Sequence, residues 1–309
     1  MAVFVDMNPS QKTTSGNNAA CKLCPRMCNA RRRAGERGYC QASSSVRVFR
    51  WGPHFGEEPP LVGEHGSGCV FFSRCTMKCI YCQNSPWSWL GEGEDKTDGE
   101  LTEIFRELAV KDKCENWNLV SPTPYLENIR AALHPLVSSG IKLPTIWNSS
   151  GYERVETLQE YKDLCDYALF DLRYSKNETA LKASNASDYV EFSRKAVKWA
   201  YENTKLFVRI LVLPGHADEA IENLAYLATE LSNEIPVSIM SQYTPVYKAN
   251  EIEPFNRGVT NDEYMSVTEA ASDFGFENGW IQSFESRDPS IALLGENMSR
   301  DHGTVGINN

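Results

Sequence analysis

The sequence predicts an α/β fold, a partial (β/α)6 barrel preceded by a small, loop-rich cysteine module. Three observations predict it. From about residue 69, short apolar runs alternate with amphipathic stretches, and strands alternating with helices imply parallel βαβ units. The apolar runs number six, fewer than the eight of a closed barrel, and right-handed crossovers curl such a sheet towards an open one. Residues 21–65 instead concentrate Cys, Gly, Pro and Arg, a composition that cannot bury much core unaided.

Taken in order, residues 1–20 are polar and aperiodic and read as a flexible tail. After the module at 21–65, Cys69-Val70-Phe71-Phe72 is the first strand, and 91–99 (GEGEDKTDG) a polar loop. A helix over 98–112 places Leu101, Ile104, Phe105 and Leu108 on one face, with Asp98 as cap. The strand Asn118–Val120 follows, then a helix over 125–138 with Ile129, Leu133, Leu136 and Val137 inward. Pro144–Trp147 is a strand, 153–163 a helix, Tyr167–Phe170 a strand and 188–203 a helix. Leu206–Leu213, a helix over 217–232, Pro236–Met240 and a helix over 261–273 complete the alternation. An extended segment at Trp280–Gln282 closes the barrel region, 66–285, ahead of a C-terminal tail, 286–309. Ligand sites in such sheets lie at the carboxyl ends of the strands, where Ser121, Thr123, Asn148, Ser149, Asp171, His216 and Gln242 stand.

Composition narrows the function. The 309 residues are 41% hydrophobic and carry a net charge of -10, so a sizeable core is available and nucleic acid is not the default partner. No apolar run reaches the roughly 20 residues of a membrane span, and the first residues do not read as a secretory leader. A cytoplasmic protein is expected. Ten cysteines then point to metal rather than disulfides.

The tighter cysteine group is Cys75, Cys79 and Cys82, spaced C-x3-C-x2-C. Three thiolates on a short loop suit iron–sulfur ligation. A four-iron cubane held by three cysteines keeps one iron open to a small molecule. Reduced structural thiols and a zinc site with a remote fourth ligand are the alternatives.

The stretch Gly68–Asn84, GCVFFSRCTMKCIYCQN, closely resembles the cluster loop of radical S-adenosylmethionine (radical SAM) enzymes, in the branch of pyruvate formate-lyase-activating enzyme and its uncharacterised relatives. Tyr81 before the third cysteine and Asn84 two residues after it belong to that pattern. Val208–His216 resembles the family's fifth-strand segment, Asp166–Tyr174 its fourth, and Asn148–Tyr152 the polar turn after its third. The resemblance implies a [4Fe-4S] cluster on Cys75, Cys79 and Cys82 whose open iron chelates S-adenosylmethionine (SAM). Reduction would cleave SAM to methionine and a 5′-deoxyadenosyl radical, which takes a hydrogen atom from a protein (as a glycyl radical), a peptide or a small molecule. By position it implies Tyr81 at the adenine, Ser121 and Thr123 near the methionine moiety, and Asn148 and Ser150 at the ribose or carboxylate. Asp171, Arg209 and Gln242 would form the cavity wall. It implies an oxidoreductase with a flavodoxin- or ferredoxin-like electron donor, and no nucleic-acid or membrane partner. Relatives carry Gly-Gly-Glu after the second strand to hold the methionine amine; Val120-Ser121-Pro122-Thr123-Pro124 stands there instead. The alternative function is an iron–sulfur or zinc protein for electron transfer or assembly, without SAM chemistry.

The second group, Cys21, Cys24, Cys28 and Cys40, could close a further iron–sulfur cluster or a zinc site. Arg26, Arg31, Arg32, Arg33 and Arg37 would offset its negative charge. Cys69, Cys114 and Cys165 read as core residues. Between His54 and His65, the acidic run Gly56–Pro60 is either a cover over the site or a solvated linker, and Trp87 and Trp89 are packing residues beside the cysteine loop.

Overall fold

A computed structural model describes residues 19–282. The tail at 286–309, and all but the last two residues of the one at 1–20, lie outside the described residues. The elements in chain order are β1 (Val46–His54), α1 (Pro59–Val62), β2 (Ser67–Phe72), α2 (Ser85–Ser88), β3 (Glu94–Lys96), α3 (Asp98–Arg106), β4 (Trp117–Val120) and α4 (Leu126–Ser138). There follow β5 (Thr145–Ser149), α5 (Val155–Glu160), β6 (Tyr167–Asp171), α6 (Asn177–Ser184), α7 (Tyr189–Asn203) and β7 (Lys205–Leu211). The last are α8 (Ala217–Glu230), β8 (Val237–Met240), α9 (Asn261–Asp273) and β9 (Gly279–Ile281). Among the described residues one sheet of nine strands runs in the order β3-β1-β2-β4-β5-β6-β7-β8-β9. From β2 to β9 every neighbouring pair is parallel. The sheet is unclosed: this is a partial barrel, with β9 added to the six expected strands and an antiparallel flank, β1 and β3, at the other end.

Alternation along the strands sorts their side chains. Leu119, Trp147, Phe170, Val208 and Ile239 pack into the main core beneath the helices, while Ile146 and Leu169 join Leu61 in a small second cluster. That inner face also carries a polar ladder. Asn118 Nδ2 donates to Ser67 Oγ at 3.1 Å, and Asn148 Nδ2 donates to Asn118 Oδ1 at 3.1 Å, so three strands are locked in register beneath the strand ends. Cys69, Cys114 and Cys165 are buried, as expected.

Several local expectations are corrected. The loop-rich module contributes a nine-residue strand, β1, whose Val46 and Val48 are buried and which pairs with β2. The polar loop at 91–99 contains β3. Thr97, not Asp98, caps α3: its hydroxyl accepts from Glu100 N, and the Glu100 carboxylate accepts from Thr97 N. Helix α3 ends at Arg106 in a π-helical turn over Glu107–Lys111, α5 stops at Glu160, and Val137 is 46% exposed. Helix α6 was not foreseen.

Candidate functional site

The loop after β2 is clamped on all sides. Arg74 adopts a left-handed conformation, φ 75°. Its amide donates to Trp87 O at 2.9 Å and its Nη1 to Trp89 O at 3.0 Å. Gly91 makes room for that guanidinium: a Cβ there would lie 2.2 Å from Arg74 Cζ. Further on, Lys78 N and Ile80 N donate to Ser184 O and Ala183 O at the end of α6. Ile80 O accepts from Lys248 N and Ala249 N. Trp87 stacks on Phe49 with 4.4 Å between centroids, and Trp89 Nε1 donates to Cys79 O at 3.2 Å, so both tryptophans pack around the loop.

This loop floors a cleft of about 210 Å³ at the carboxyl ends of the strands. Cys75, Cys79, Cys82, Tyr81, Asn84, Ser121, Asn148, Ser150, Asp171, Arg209 and Gln242 all line it. Thr123 does not. The two prolines fold Thr123–Tyr125 into a 3-10 turn, and the Thr123 hydroxyl donates instead to Glu153 Oε1 at 2.6 Å. His216 is also turned away: its Nδ1 meets Glu219 Oε1 at 3.1 Å and its ring stacks on Phe255. Ser121, at φ 59°, donates its amide to Asn148 O at 2.8 Å. Gln242 is bridged to Gln282, whose Nε2 donates to Gln242 Oε1 at 3.1 Å.

Each sulfur has a protein partner. Cys79 Sγ accepts from Ser184 Oγ and Arg173 Nη1, both at 3.0 Å. Cys82 Sγ lies 3.1 Å from Ser88 Oγ, and Cys75 Sγ accepts from Met77 N at 3.4 Å. Burial, and then the charge of Cys79, pushes the Cys75 thiol up and the Cys82 thiol to about 12. A positive iron centre reverses that cost by pairing with the thiolates. Among the described residues no three His, Cys, Asp or Glu side chains converge tightly enough to hold a single metal ion. Three soft donors on one loop facing one cleft fit an iron–sulfur cluster. Asn84 Oδ1 is buried in the cleft wall with no partner among the described residues, an acceptor available to a donor on a bound ligand.

Charge is arranged in pairs. Arg173 Nε donates to Asp171 Oδ2 at 3.0 Å while its Nη1 reaches Cys79. Arg209 is gripped by Glu58, at 2.7 Å, and by Glu57. The acidic run at 56–60 is therefore no solvated linker: Gly56, Pro59 and Pro60 are exposed, but the Glu57 and Glu58 side chains are buried against the barrel and Glu57 and His54 line the cleft. His65 lies elsewhere, paired with Glu115. Reading the sequence missed Arg173, Ser184 and Ser88, while Glu57 belongs to the acidic run read as one of two alternatives, a cover over the site. Of the three, only Arg173 carried a signal, standing two residues beyond Asp171.

The model of the Radical SAM superfamily matches residues 69–228, just over half of the chain. The chain belongs to the radical SAM superfamily. An uncharacterized protein of Methanocaldococcus jannaschii is 30% identical over 269 residues, covering 83% of this chain and 75% of that protein. Among solved structures, a domain of pyruvate-formate lyase-activating enzyme from Bacteroides vulgatus matches with a TM-score of 0.40 at 15% identity, over 52% of this chain and 92% of that one. SuiB of Streptococcus suis, solved with the precursor peptide SuiA, matches with a TM-score of 0.46 at 13% identity, over 68% of this chain and 46% of that one. The radical SAM match begins at Cys69, so β1 and the module carrying Cys21, Cys24, Cys28 and Cys40 precede it.

In that module Arg26 and Arg32 act as pins, through Arg26 Nε to Thr76 O at 3.1 Å and Arg32 Nη1 to Pro124 O. Arg33 pairs with Glu127 at 3.0 Å on the surface and offsets no sulfur charge. Among the described residues no helix is long and apolar enough to cross a membrane.

Proposed function

We propose that the chain is a radical SAM oxidoreductase of the activating-enzyme type, working in a reducing cytoplasm, with Cys75, Cys79 and Cys82 as ligands of a [4Fe-4S] cluster. When bound, the cluster supplies the electron that splits SAM into methionine and a 5′-deoxyadenosyl radical able to take a hydrogen atom. The observation that carries the reading is the meeting of three thiols from one loop with the polar strand ends around a single cleft. Within it, Arg173 and Ser184 donate to Cys79 and so favour its thiolate. Ser121, Asn148, Ser150 and Asn84 offer amide and hydroxyl groups to the methionine and ribose of SAM. Asp171 and Gln242 would sit at the cavity wall, and the Tyr81 ring, packed on Phe255 and Tyr243, would present a fixed face to adenine. Trp87 and Phe71 shield the loop from water. The hydrogen donor is a glycine of a partner protein, a peptide or a small metabolite, and the electron donor is flavodoxin- or ferredoxin-like.

Anaerobic reconstitution tests this. The full chain is expected to bind iron and sulfide, give a reduced-cluster EPR signal altered by SAM, and release 5′-deoxyadenosine under dithionite. Cys79→Ala should lose cleavage and the SAM-responsive signal together. Cleavage retained in that variant would refute the ligand assignment. A mass shift on a co-incubated protein, peptide or metabolite then separates the three kinds of substrate.

A further inference from the structure

We propose that Cys21, Cys24, Cys28 and Cys40 hold a second iron–sulfur cluster that takes electrons from an external one-electron donor and passes them to the centre at Cys75, Cys79 and Cys82. The transfer half of this rests on the function proposed above; the site itself does not.

The module is shaped around its sulfurs. Cys21 N donates to Ala30 O and Asn29 N to Cys21 O, both at 3.0 Å, closing the chain so that Cys21, Cys24 and Cys28 lie on one tight loop. Met27 and Asn29 are held at φ 37° and 56°, and Gln41, next to Cys40, at φ 63°. Left-handed conformations at non-glycine residues are costly and persist where the surroundings impose them. The backbones of Arg26 and Ala42 hydrogen-bond the thiols of Cys24 and Cys40, each two residues before them, an arrangement that stabilises thiolate ligands. Gly38 lets the turn that carries Cys40 approach Cys28, since a Cβ at Gly38 would lie 2.3 Å from Cys28 Sγ. Cys40 ties the group together: it lies within Coulomb reach of Cys21, Cys24 and Cys28, and Cys24 also feels Cys21. Three cysteines within eight residues and a remote fourth match the ligand pattern of iron–sulfur loops.

The module's place explains its role. Arg26, two residues from both Cys24 and Cys28, donates to Thr76 O, the residue after Cys75, at 3.1 Å. The Lys78 ammonium lies within Coulomb reach of Cys75 and of Cys40. One side chain and one peptide therefore connect the two sulfur groups. On the far side Cys28 is exposed beside Met27, itself 46% exposed, which gives a donor an edge to reach. In each turnover one electron leaves the donor, resides on the module's cluster, and moves on to the SAM-binding centre; the donor is oxidised by one electron.

The test uses the full chain reconstituted anaerobically with iron and sulfide. Wild type should hold about eight irons, twice the content of one cubane. Cys24→Ala/Cys28→Ala and Cys75→Ala/Cys79→Ala/Cys82→Ala variants should each keep about half. The first variant should keep an EPR signal that SAM alters, the second a signal that SAM leaves alone. Should the first variant not fold, alkylation mapped by mass spectrometry on wild type answers instead: loading should protect Cys28, which the metal-free chain leaves open to label. Full iron in the folded first variant, one zinc per chain displaced by its substitutions, or an unprotected Cys28 in loaded protein overturns the site. For transfer, flavodoxin hydroquinone should reduce the SAM-responsive centre at least tenfold more slowly in the first variant than in wild type, while dithionite reduces both alike; equal rates with flavodoxin overturn the relay. Two clusters that load and reduce while SAM stays intact would refute the proposed function and leave the second site standing.

Discussion

Glu153 gives the sharpest stability test. The turn after β5 buries this carboxyl completely, 1% exposed. Its Oε1 accepts from Thr123 and Trp147, and its Oε2 is buried with no partner among the described residues. Burial raises it from its ordinary 4.5 to about 7, against the pull of hydrogen bonds from Thr123, Ser149 and Trp147. The nearest titratable thiols, Cys24 and Cys165, are themselves pushed up by burial and so remain neutral at these pH values. Below pH 4.5 folded and unfolded chains both hold the proton, and the group costs nothing. Between 4.5 and 7 the unfolded chain releases it while the folded chain keeps it, so stability falls as pH rises. At about 1.4 kcal/mol per pH unit, the cost levels off near roughly 3 kcal/mol above pH 7. Glu153→Gln keeps the acceptor for Thr123 and cannot ionise. Urea unfolding of the metal-free, reduced chain should find the two proteins nearly equal at pH 4.5. The variant should be about 3 kcal/mol more stable at pH 8, roughly 6–12 °C in Tm for a chain of this size. A difference that does not change with pH would refute the reasoning, since only ionisation of this carboxyl separates the two at high pH.

Other perturbations follow from the same contacts. Arg209→Met strands Glu57 and Glu58 against the barrel and should cost about 3 kcal/mol in urea unfolding; Glu57→Gln/Glu58→Gln in the same background should recover most of it. Thr97→Ala and Thr260→Ala each remove a capping box and should cost about 1 kcal/mol apiece, additively, because they cap different helices. Arg173→Gln removes a cation beside Cys79. A redox titration followed by EPR should show the SAM-responsive centre harder to reduce by roughly 65–130 mV, as a charged hydrogen bond is worth about 1.5–3 kcal/mol and the couple carries one electron. An unchanged potential would mean that Arg173 serves Asp171 alone.

The barrel was legible because β2 and β4–β8 are short apolar runs, and such runs stand out between amphipathic helices. Helix α6 was not legible for the opposite reason. It buries Thr179, Ala180, Ala183 and Ser184, small or polar side chains that give little apolar contrast. Strand β1 was hidden by Gly52 and Pro53 within it and by the register shift between Val48 and Arg50. In the site, residues carried by the strand ends themselves could be placed from the strand assignment alone, and these line the cleft. Thr123 failed because its placement depends on how two flanking prolines turn the chain, and on an acceptor, Glu153, thirty residues further on. Ser184 and Glu57 reach Cys79 and Arg209 across separations of 105 and 152 residues, and no local pattern encodes such a meeting.

The paired charges bear on why the cleft carries so many ions at all. Around it stand Glu57, Glu58 and Asp171 against Arg173 and Arg209, a balance of one negative charge before any thiolate forms. Buried pairs of this kind add little net stability, because desolvation offsets their attraction, and an apolar set of similar volume would hold the barrel as well. What an apolar set cannot do is place a guanidinium 3.0 Å from Cys79 Sγ or draw the acidic loop over the inner face. Asp171 fixes the Arg173 fork beside Cys79, and Glu57 with Glu58 fixes Arg209. The slightly negative surround that results favours a ligand of net positive charge over a neutral or anionic one.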